Sequence, residues 1–133
     1  MEQTNESTRR ILVVDDDITI LTSLAQRLSS WGYSVITAST GEEALKLAQE
    51  KLPHLLLLDI MLPKMKGRQL CEKLKLDPRT GTIPVIFLTA LGLPDHIQAG
   101  MNLGADDYLV KPFDPDTLKQ RIELCLKRYG SET

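Results

Sequence analysis

Four short apolar runs, each closed at its C-terminal end by a polar group, constrain this chain more than any other feature. They are Ile11–Val14 before Asp15-Asp16-Asp17, Leu55–Leu58 before Asp59, Val85–Leu88 before Thr89-Ala90, and Tyr108–Val110 before Lys111-Pro112-Phe113. Each run is too short for a helix and is bounded by polar or turn residues, which suits a strand buried on both faces of a parallel sheet. In an open α/β sheet, ligands and chemistry gather at the carboxyl ends of the strands. The repeated placement of acid, hydroxyl and ammonium at that edge therefore bears on function as well as fold.

Helical patterns alternate with these runs. After the first strand, Arg10–Val14, the residues Ile18, Leu21, Leu24, Ala25 and Leu28 recur at helical spacing and predict a core-facing helix that ends at Trp31-Gly32. Ser34–Ala38 is a short β-prone run, and Thr40-Gly41-Glu42-Glu43 is a capping box that opens a second helix to about Lys51. The third strand, Leu55–Leu58, lacks alternation and so belongs at the centre of the sheet. A third helix from about Gly67 should bury Leu70 and Leu74 and stop before Asp77-Pro78.

The fourth strand is expected over Ile83–Leu88, with Pro84 near its start, where a missing N–H is tolerated. Asp95–Asn102 reads as a short, weak fourth helix, and Asp107–Val110 as the fifth strand. Asp114 as N-cap and Pro115 at the first helical position open a last helix that stacks Leu118, Ile122, Cys125 and Leu126 on one face. The five-fold alternation predicts a (βα)5 doubly wound, five-stranded parallel sheet with right-handed crossovers and helices on both faces. We expect one domain over residues 10–129, a polar N-terminal tail at 1–9 and a C-terminal tail at 130–133.

Bulk properties exclude several classes. The 133 residues can bury a real core, and 42% hydrophobic with 26% charged residues is ordinary for a soluble domain. A formal net charge of −2 gives no general pull toward nucleic acid, so no direct nucleic-acid contact is expected. No apolar stretch approaches the roughly 20 residues that span a bilayer, and Met1–Arg10 lacks the apolar segment of a secretory signal. Cys71 and Cys125, both in helical patterns, read as buried thiols in a reducing compartment, which makes the cytoplasm the expected location.

If the first, third, fourth and fifth strands are neighbours, Asp15, Asp16 and Asp59 meet at one edge beside Thr89 and Lys111. Three close carboxylates repel one another unless a cation sits among them. Hard oxygen donors with room for water suit Mg2+. A carboxylate between a divalent cation and an ammonium can act as nucleophile toward phosphorus, with the positive charges neutralising the oxygens of a phosphoryl group in transit. Asp59, alone on the central strand, is the candidate nucleophile. The adjacent pair Asp15-Asp16 is the candidate metal-holding side.

From about Arg10 to Arg128 the chain resembles the CheY-like receiver domain of two-component response regulators. The resemblance rests on Val13-Val14-Asp15-Asp16, Leu58-Asp59 followed by Pro63 and Gly67, Leu88-Thr89-Ala90, Gly104-Ala105-Asp106-Asp107-Tyr108 and Lys111-Pro112-Phe113. The separations fit as well: 43 residues from Asp16 to Asp59, 30 on to Thr89 and 22 on to Lys111. The resemblance implies strand order 2-1-3-4-5 and a phosphoacceptor role for Asp59, fed by a sensor histidine kinase or a phosphotransfer protein.

It further implies that Asp16, Asp59 and the Met61 main-chain carbonyl hold Mg2+, with Asp15 contributing through water. Lys111, Thr89 and the Ala90 main-chain amide would meet the phosphoryl oxygens. Thr89 and Tyr108 would switch together, and the Lys111-Pro112 bond would be cis. Such a domain is a switch rather than a metabolic enzyme, and its output passes through the face of the fourth helix, fifth strand and fifth helix to an effector protein or attached output module. The resemblance implies a monomer or a phosphorylation-dependent dimer.

Lys66 stands where the family often has Asp before the glycine at Gly67, and the positions two past Asp59 and Thr89 are apolar, Met61 and Leu91. With no polar side chain there to position water, slow loss of the phosphoryl group is expected. The rival readings are a small phosphohydrolase with an aspartyl intermediate and an unphosphorylated docking scaffold. The former would need a second acid-base carboxylate soon after Asp59, where Ile60-Met61-Leu62 stands instead. Blander roles fit other residues: Asp17 as the helix cap, Trp31 and Phe113 as core or core edge, and His54 and His96 in surface or loop positions.

Overall fold

The computed structural model describes residues 8–59, 67–89 and 105–130. Five strands form one parallel sheet in the order β2-β1-β3-β4-β5, as the sequence predicts. They are β1 (Arg10–Val14), β2 (Ser34–Ala38), β3 (Leu55–Asp59), β4 (Val85–Thr89) and β5 (Asp107–Val110). The described helices are α1 (Ile18–Ser30), α2 (Gly41–Lys51), α3 (Gly67–Leu76) and α4 (Pro115–Gly130). The helix expected over residues 95–102 lies outside the described residues, as do Met61, Ala90, Leu91 and His96.

The unbroken apolar runs of β1, β3 and β4 are explained by two cores, one on each face of the sheet. Leu12, Val14, Leu56, Leu58, Val85 and Phe87 pack on one face with Ala44 and Ala48 of α2 and Leu70, Cys71 and Leu74 of α3. Their sequence neighbours Ile11, Val13, Leu55, Leu57, Ile86 and Leu88 point the other way, onto Leu24 and Leu28 of α1 and Leu118 and Ile122 of α4. Strand side chains alternate faces, so a strand covered on both sides must be apolar at every position. Each fully buried Leu or Ile contributes about 1.5–3 kcal/mol of apolar transfer.

The caps follow the local chemistry. Asp17 closes α1 by accepting from the main-chain N–H of Thr19 (3.0 Å) and Ile20 (3.3 Å), and Gly32, at φ 97°, carries the chain out past the Trp31 cap. Thr40 Oγ1 accepts from the Glu43 N–H at 3.1 Å, while the Glu43 carboxylate reaches back to the Ser39 N–H at 3.0 Å. The capping box therefore closes one residue earlier than its usual reciprocal bond. Asp114 accepts from the Thr117 N–H at 3.2 Å and starts α4, whose predicted stripe of Leu118, Ile122, Cys125 and Leu126 is buried. Trp31 and Phe113 lie at the edge of the second core, and the Lys119 ammonium sits over the Trp31 ring at 5.7 Å.

Four expectations shift. Ile18 is 61% exposed rather than core-facing. It is the first residue of α1, and helical spacing fixes the face a residue occupies but not whether the sheet extends far enough to cover it. Ala25 in the same stripe is only half-buried. β3 runs one residue further, so that Asp59 itself is in the strand, and β4 starts at Val85 instead of Ile83. Ile83 donates its N–H into the preceding turn, to the Thr80 carbonyl, and Pro84 serves the sheet only as acceptor for the Leu56 N–H at 3.0 Å.

Both cysteines are buried, one in each core, and burial is the leading cause that pushes each thiol up to about 11. Thiols so placed are unreactive near neutral pH.

Candidate functional site

Register brings the chemistry together. Val14 is level with Leu58, Asp59 with Leu88, and Thr89 with Val110. Asp15 follows β1 directly, Asp59 and Thr89 are the last residues of β3 and β4, and Lys111 follows β5 directly. Carboxylate oxygens of Asp15, Asp16 and Asp59 all lie within 4.8 Å of one another. Asp15 and Asp59 are buried and Asp16 is exposed.

Each group is held by the main chain around it. Asp15 donates its N–H to the Ala38 carbonyl at 3.2 Å, and its Oδ1 accepts from the Asp17 N–H at 3.0 Å. Lys111 donates its N–H to the Thr89 carbonyl at 2.7 Å, which ties the start of the 111–114 loop to the end of β4. The Lys111-Pro112 peptide bond is cis, in agreement with the expectation. Thr89, buried at 2% exposure, ends β4 beside the acids.

Lys111 supplies the positive charge. Its Nζ lies 2.8 Å from Asp15 Oδ2 and 3.6 Å from Asp59 Oδ2. Burial works against the charged ammonium, yet the hydrogen bond to Asp15 and the charges of Asp59 and Asp15 outweigh it and hold the Lys111 pKa above its ordinary value. The three acids and the lysine thus form one compact charged group at the sheet's carboxyl edge. A cluster of hard oxygen donors in that arrangement fits a small divalent cation. Of the other residues expected at the site, Met61 and Ala90 lie outside the described residues. Tyr108 is half-buried on β5, packed against the first core.

Two features went unread in the sequence. A groove of about 620 Å³ opens beside Lys111, between α1 and the 111–114 loop, lined by Ile20, Leu24, Arg27, Phe113 and Pro115 among others. At the opposite end of β4, the Asp106 carboxylate accepts from the Val85 N–H at 2.8 Å, and Lys75 reaches it at 3.8 Å while donating to the Ile83 carbonyl at 3.0 Å. Neither carries a local sequence signal, because each joins residues far apart in the chain.

An open parallel sheet of this order, with buried acids, a hydroxyl and an ammonium on its carboxyl edge, defines a doubly wound α/β domain whose charged groups stand where such sheets carry their ligands. Comparison with known proteins makes the assignment specific. The family model for the response regulator receiver domain matches residues 11–123. The chain is 48% identical over 126 residues to the "Probable transcriptional regulator ycf27" of Cyanophora paradoxa, covering 94% of this chain and 51% of that protein.

It is 44% identical over 120 residues to the alkaline phosphatase synthesis transcriptional regulatory protein PhoP of Bacillus subtilis, covering 90% of this chain and 49% of that one. Among solved structures, a CheY-like response regulator receiver domain protein from Methanospirillum hungatei superposes with a TM-score of 0.86 at 37% identity, covering 95% of this chain and 99% of that chain. The chain belongs to the response-regulator receiver family, and a phosphoacceptor role fits its site. It spans about half the length of the curated relatives it matches. No described helix is long and apolar enough to cross a membrane.

Proposed function

We propose that residues 10–129 form a receiver unit in which Asp59 accepts a phosphoryl group from the phosphohistidine of a sensor kinase or phosphotransfer protein. The observation that carries this reading is the cluster of Asp15, Asp16, Asp59 and Lys111 at the strand ends, with Asp15 and Asp59 buried in it. A carboxylate oxygen of Asp59 attacks phosphorus in line, the P–N bond breaks, and the histidine nitrogen leaves with its electron pair. Asp16, Asp59 and the Met61 carbonyl would hold Mg2+, with Asp15 acting through water. When bound, the cation neutralises charge on the transferring oxygens.

Lys111 adds a second positive charge, and Thr89 and the Ala90 amide donate to the phosphoryl oxygens. The product is a dianion whose contacts with Lys111 and Thr89 favour one arrangement of the edge, so the modification biases a two-state equilibrium. A full reversal from 1:99 to 99:1 takes about 5.5 kcal/mol. A charged hydrogen bond contributes about 1.5–3 kcal/mol, so partner binding must supply the remainder.

Tyr108 would follow Thr89, and the 95–102 segment, β5 and α4 would present the changed face to an effector or attached output module. We read the domain as a cytoplasmic switch, not a metabolic enzyme. The test is intact mass after treatment with acetyl phosphate and Mg2+. The wild-type chain should gain one phosphoryl group and Asp59→Asn none; an unmodified wild type would overturn the reading.

A further inference from the structure

The amino edge of the sheet carries a second concave site, at the opposite ends of the strands from the acids. Arg9, His54 and Pro84 directly precede β1, β3 and β4, and with Thr82 they line a pocket of about 160 Å³. Pro53, Ile83, Pro84 and Leu126 give its lining a buried, apolar part, while Arg9, His54 and Thr82 are its more exposed, polar part. No acid is among the lining residues. Its acceptors are engaged elsewhere: the Arg9 carbonyl with the Ser34 N–H at 2.9 Å, the Pro84 carbonyl with the Leu56 N–H at 3.0 Å, and the Ile83 carbonyl with the Lys75 ammonium at 3.0 Å. Its donors are not. His54 Nδ1 accepts from the Arg10 main-chain N–H at 2.9 Å, so the neutral ring carries its proton on Nε2 and keeps one donor. Among the described residues, no carboxylate pairs with the Arg9 guanidinium. The acid nearest this side is Glu123 of α4, and it faces Tyr33: burial and then Glu123 push the Tyr33 hydroxyl pKa up, while Arg9 draws it down.

We propose that this pocket binds a small organic carboxylate, its carboxyl group held by Arg9, Thr82 and the His54 Nε2–H and its short hydrocarbon tail laid on Pro53, Ile83, Pro84 and Leu126. A guanidinium fork matches a carboxylate with two parallel N–H···O bonds. Inorganic phosphate would meet the same donors and leave the apolar part of the lining uncovered, whereas a tail of two or three carbons covers it. The volume is several times the roughly 30 Å³ that one water occupies in the liquid, which leaves room for both parts of such an acid. Burial, and then the charges of Arg9 and Arg10, hold the His54 pKa below its ordinary value. An anion on Arg9 offsets those charges, so the imidazole takes up its proton more readily when the pocket is filled. The site stands apart from the acids, and nothing in it depends on the phosphoacceptor reading.

The experiment is an NMR titration of the full chain with sodium butyrate at neutral pH and constant ionic strength. It follows the His54 imidazole C–H signals, assigned by their loss in His54→Gln. Butyrate should shift them saturably and raise the midpoint of the ring's own titration. Acetate, shorter by two methylenes, should bind at least about threefold more weakly, and inorganic phosphate should also bind more weakly than butyrate. Arg9→Gln should abolish the saturable shift. Arg9→Lys, which keeps the charge and loses the fork, should weaken binding about threefold or more. Thr82→Val, a change of similar shape at an exposed position, should weaken it while leaving the circular dichroism spectrum native.

A His54 ring that shows no saturable shift overturns the proposal. So does an undiminished response in Arg9→Gln, which would place the anion elsewhere. Chloride or phosphate acting as strongly as butyrate would reduce the effect to general charge screening and overturn it too. Should Arg9→Gln lose its fold, Thr82→Val decides the matter: butyrate affinity equal to wild type in that variant would reject the site.

Discussion

His54 shows how much one side chain can hold at the residue scale. Its Nδ1 accepts from the Arg10 main-chain N–H at 2.9 Å and the His54 main-chain N–H donates to the Arg10 carbonyl at 2.7 Å, so the residue clamps the entry of β1 to the entry of β3. The Arg10 guanidinium also caps the last carbonyl of α2, at Lys51. Burial and then the charges of Arg9 and Arg10 hold the His54 pKa below its ordinary value. The unfolded chain therefore takes up this proton first as pH falls.

The stabilisation from His54 is complete above about pH 6.5, where the free imidazole is neutral, and is lost as pH drops from there through the lower folded pKa. Denaturation midpoints followed downward through that range should fall more steeply for wild type than for His54→Ala, and parallel curves would reject the assignment. The sequence pointed to a surface position for this histidine, and it is exposed. Its clamp was illegible because its partner is a main-chain group 44 residues away.

At the scale of elements, β4 and β5 are fastened at their entrances by Asp106. Its N–H donates to the Val85 carbonyl at 2.8 Å while its carboxylate accepts from the Val85 N–H, also at 2.8 Å. Both strands end at site residues, Thr89 and the position before Lys111, so their common start fixes where the hydroxyl and the ammonium arrive. Asp106→Ala leaves the Val85 N–H without its acceptor in a buried setting, a loss of about 1–3 kcal/mol. Urea denaturation should show it as a lower midpoint at unchanged slope, and an unchanged midpoint would mean that the bond contributes nothing.

Strands β1, β3 and β4 could be read directly, since continuous apolar runs are the mark of two-sided burial. Ile18 could not, because periodicity carries no information on how far a neighbouring sheet reaches. Nor could the Lys75–Asp106 contact, whose partners stand 31 positions apart with no spacing rule between them. The acids and Lys111 were legible as one cluster because they stand at the C-terminal ends of three apolar runs, β1, β3 and β5. What remained hidden was which acid the lysine grips.

Among the described residues, the molecule is a sheet with two cores that share no side chain. Ile122 and Ile86 belong to one, Val85 to the other. Trimming Ile122→Val and Val85→Ala should cost on the order of 1 kcal/mol each. Across the sheet these losses should add within about 0.5 kcal/mol, whereas Ile122→Val with Ile86→Val, packed in the same core, should not. Chemical denaturation of the singles and pairs distinguishes the cases, and coupling across the sheet as large as within one core would contradict the separation.

That separation makes the sheet an insulator. Among the described residues, a repacking of side chains around α2 and α3 finds no side-chain route through β3 to α1 and α4, because each strand residue faces only one way. The described contacts that join the acids to the outer strands lie instead along the rim, where the Lys111 backbone hangs from Thr89 and its ammonium reaches back to Asp15.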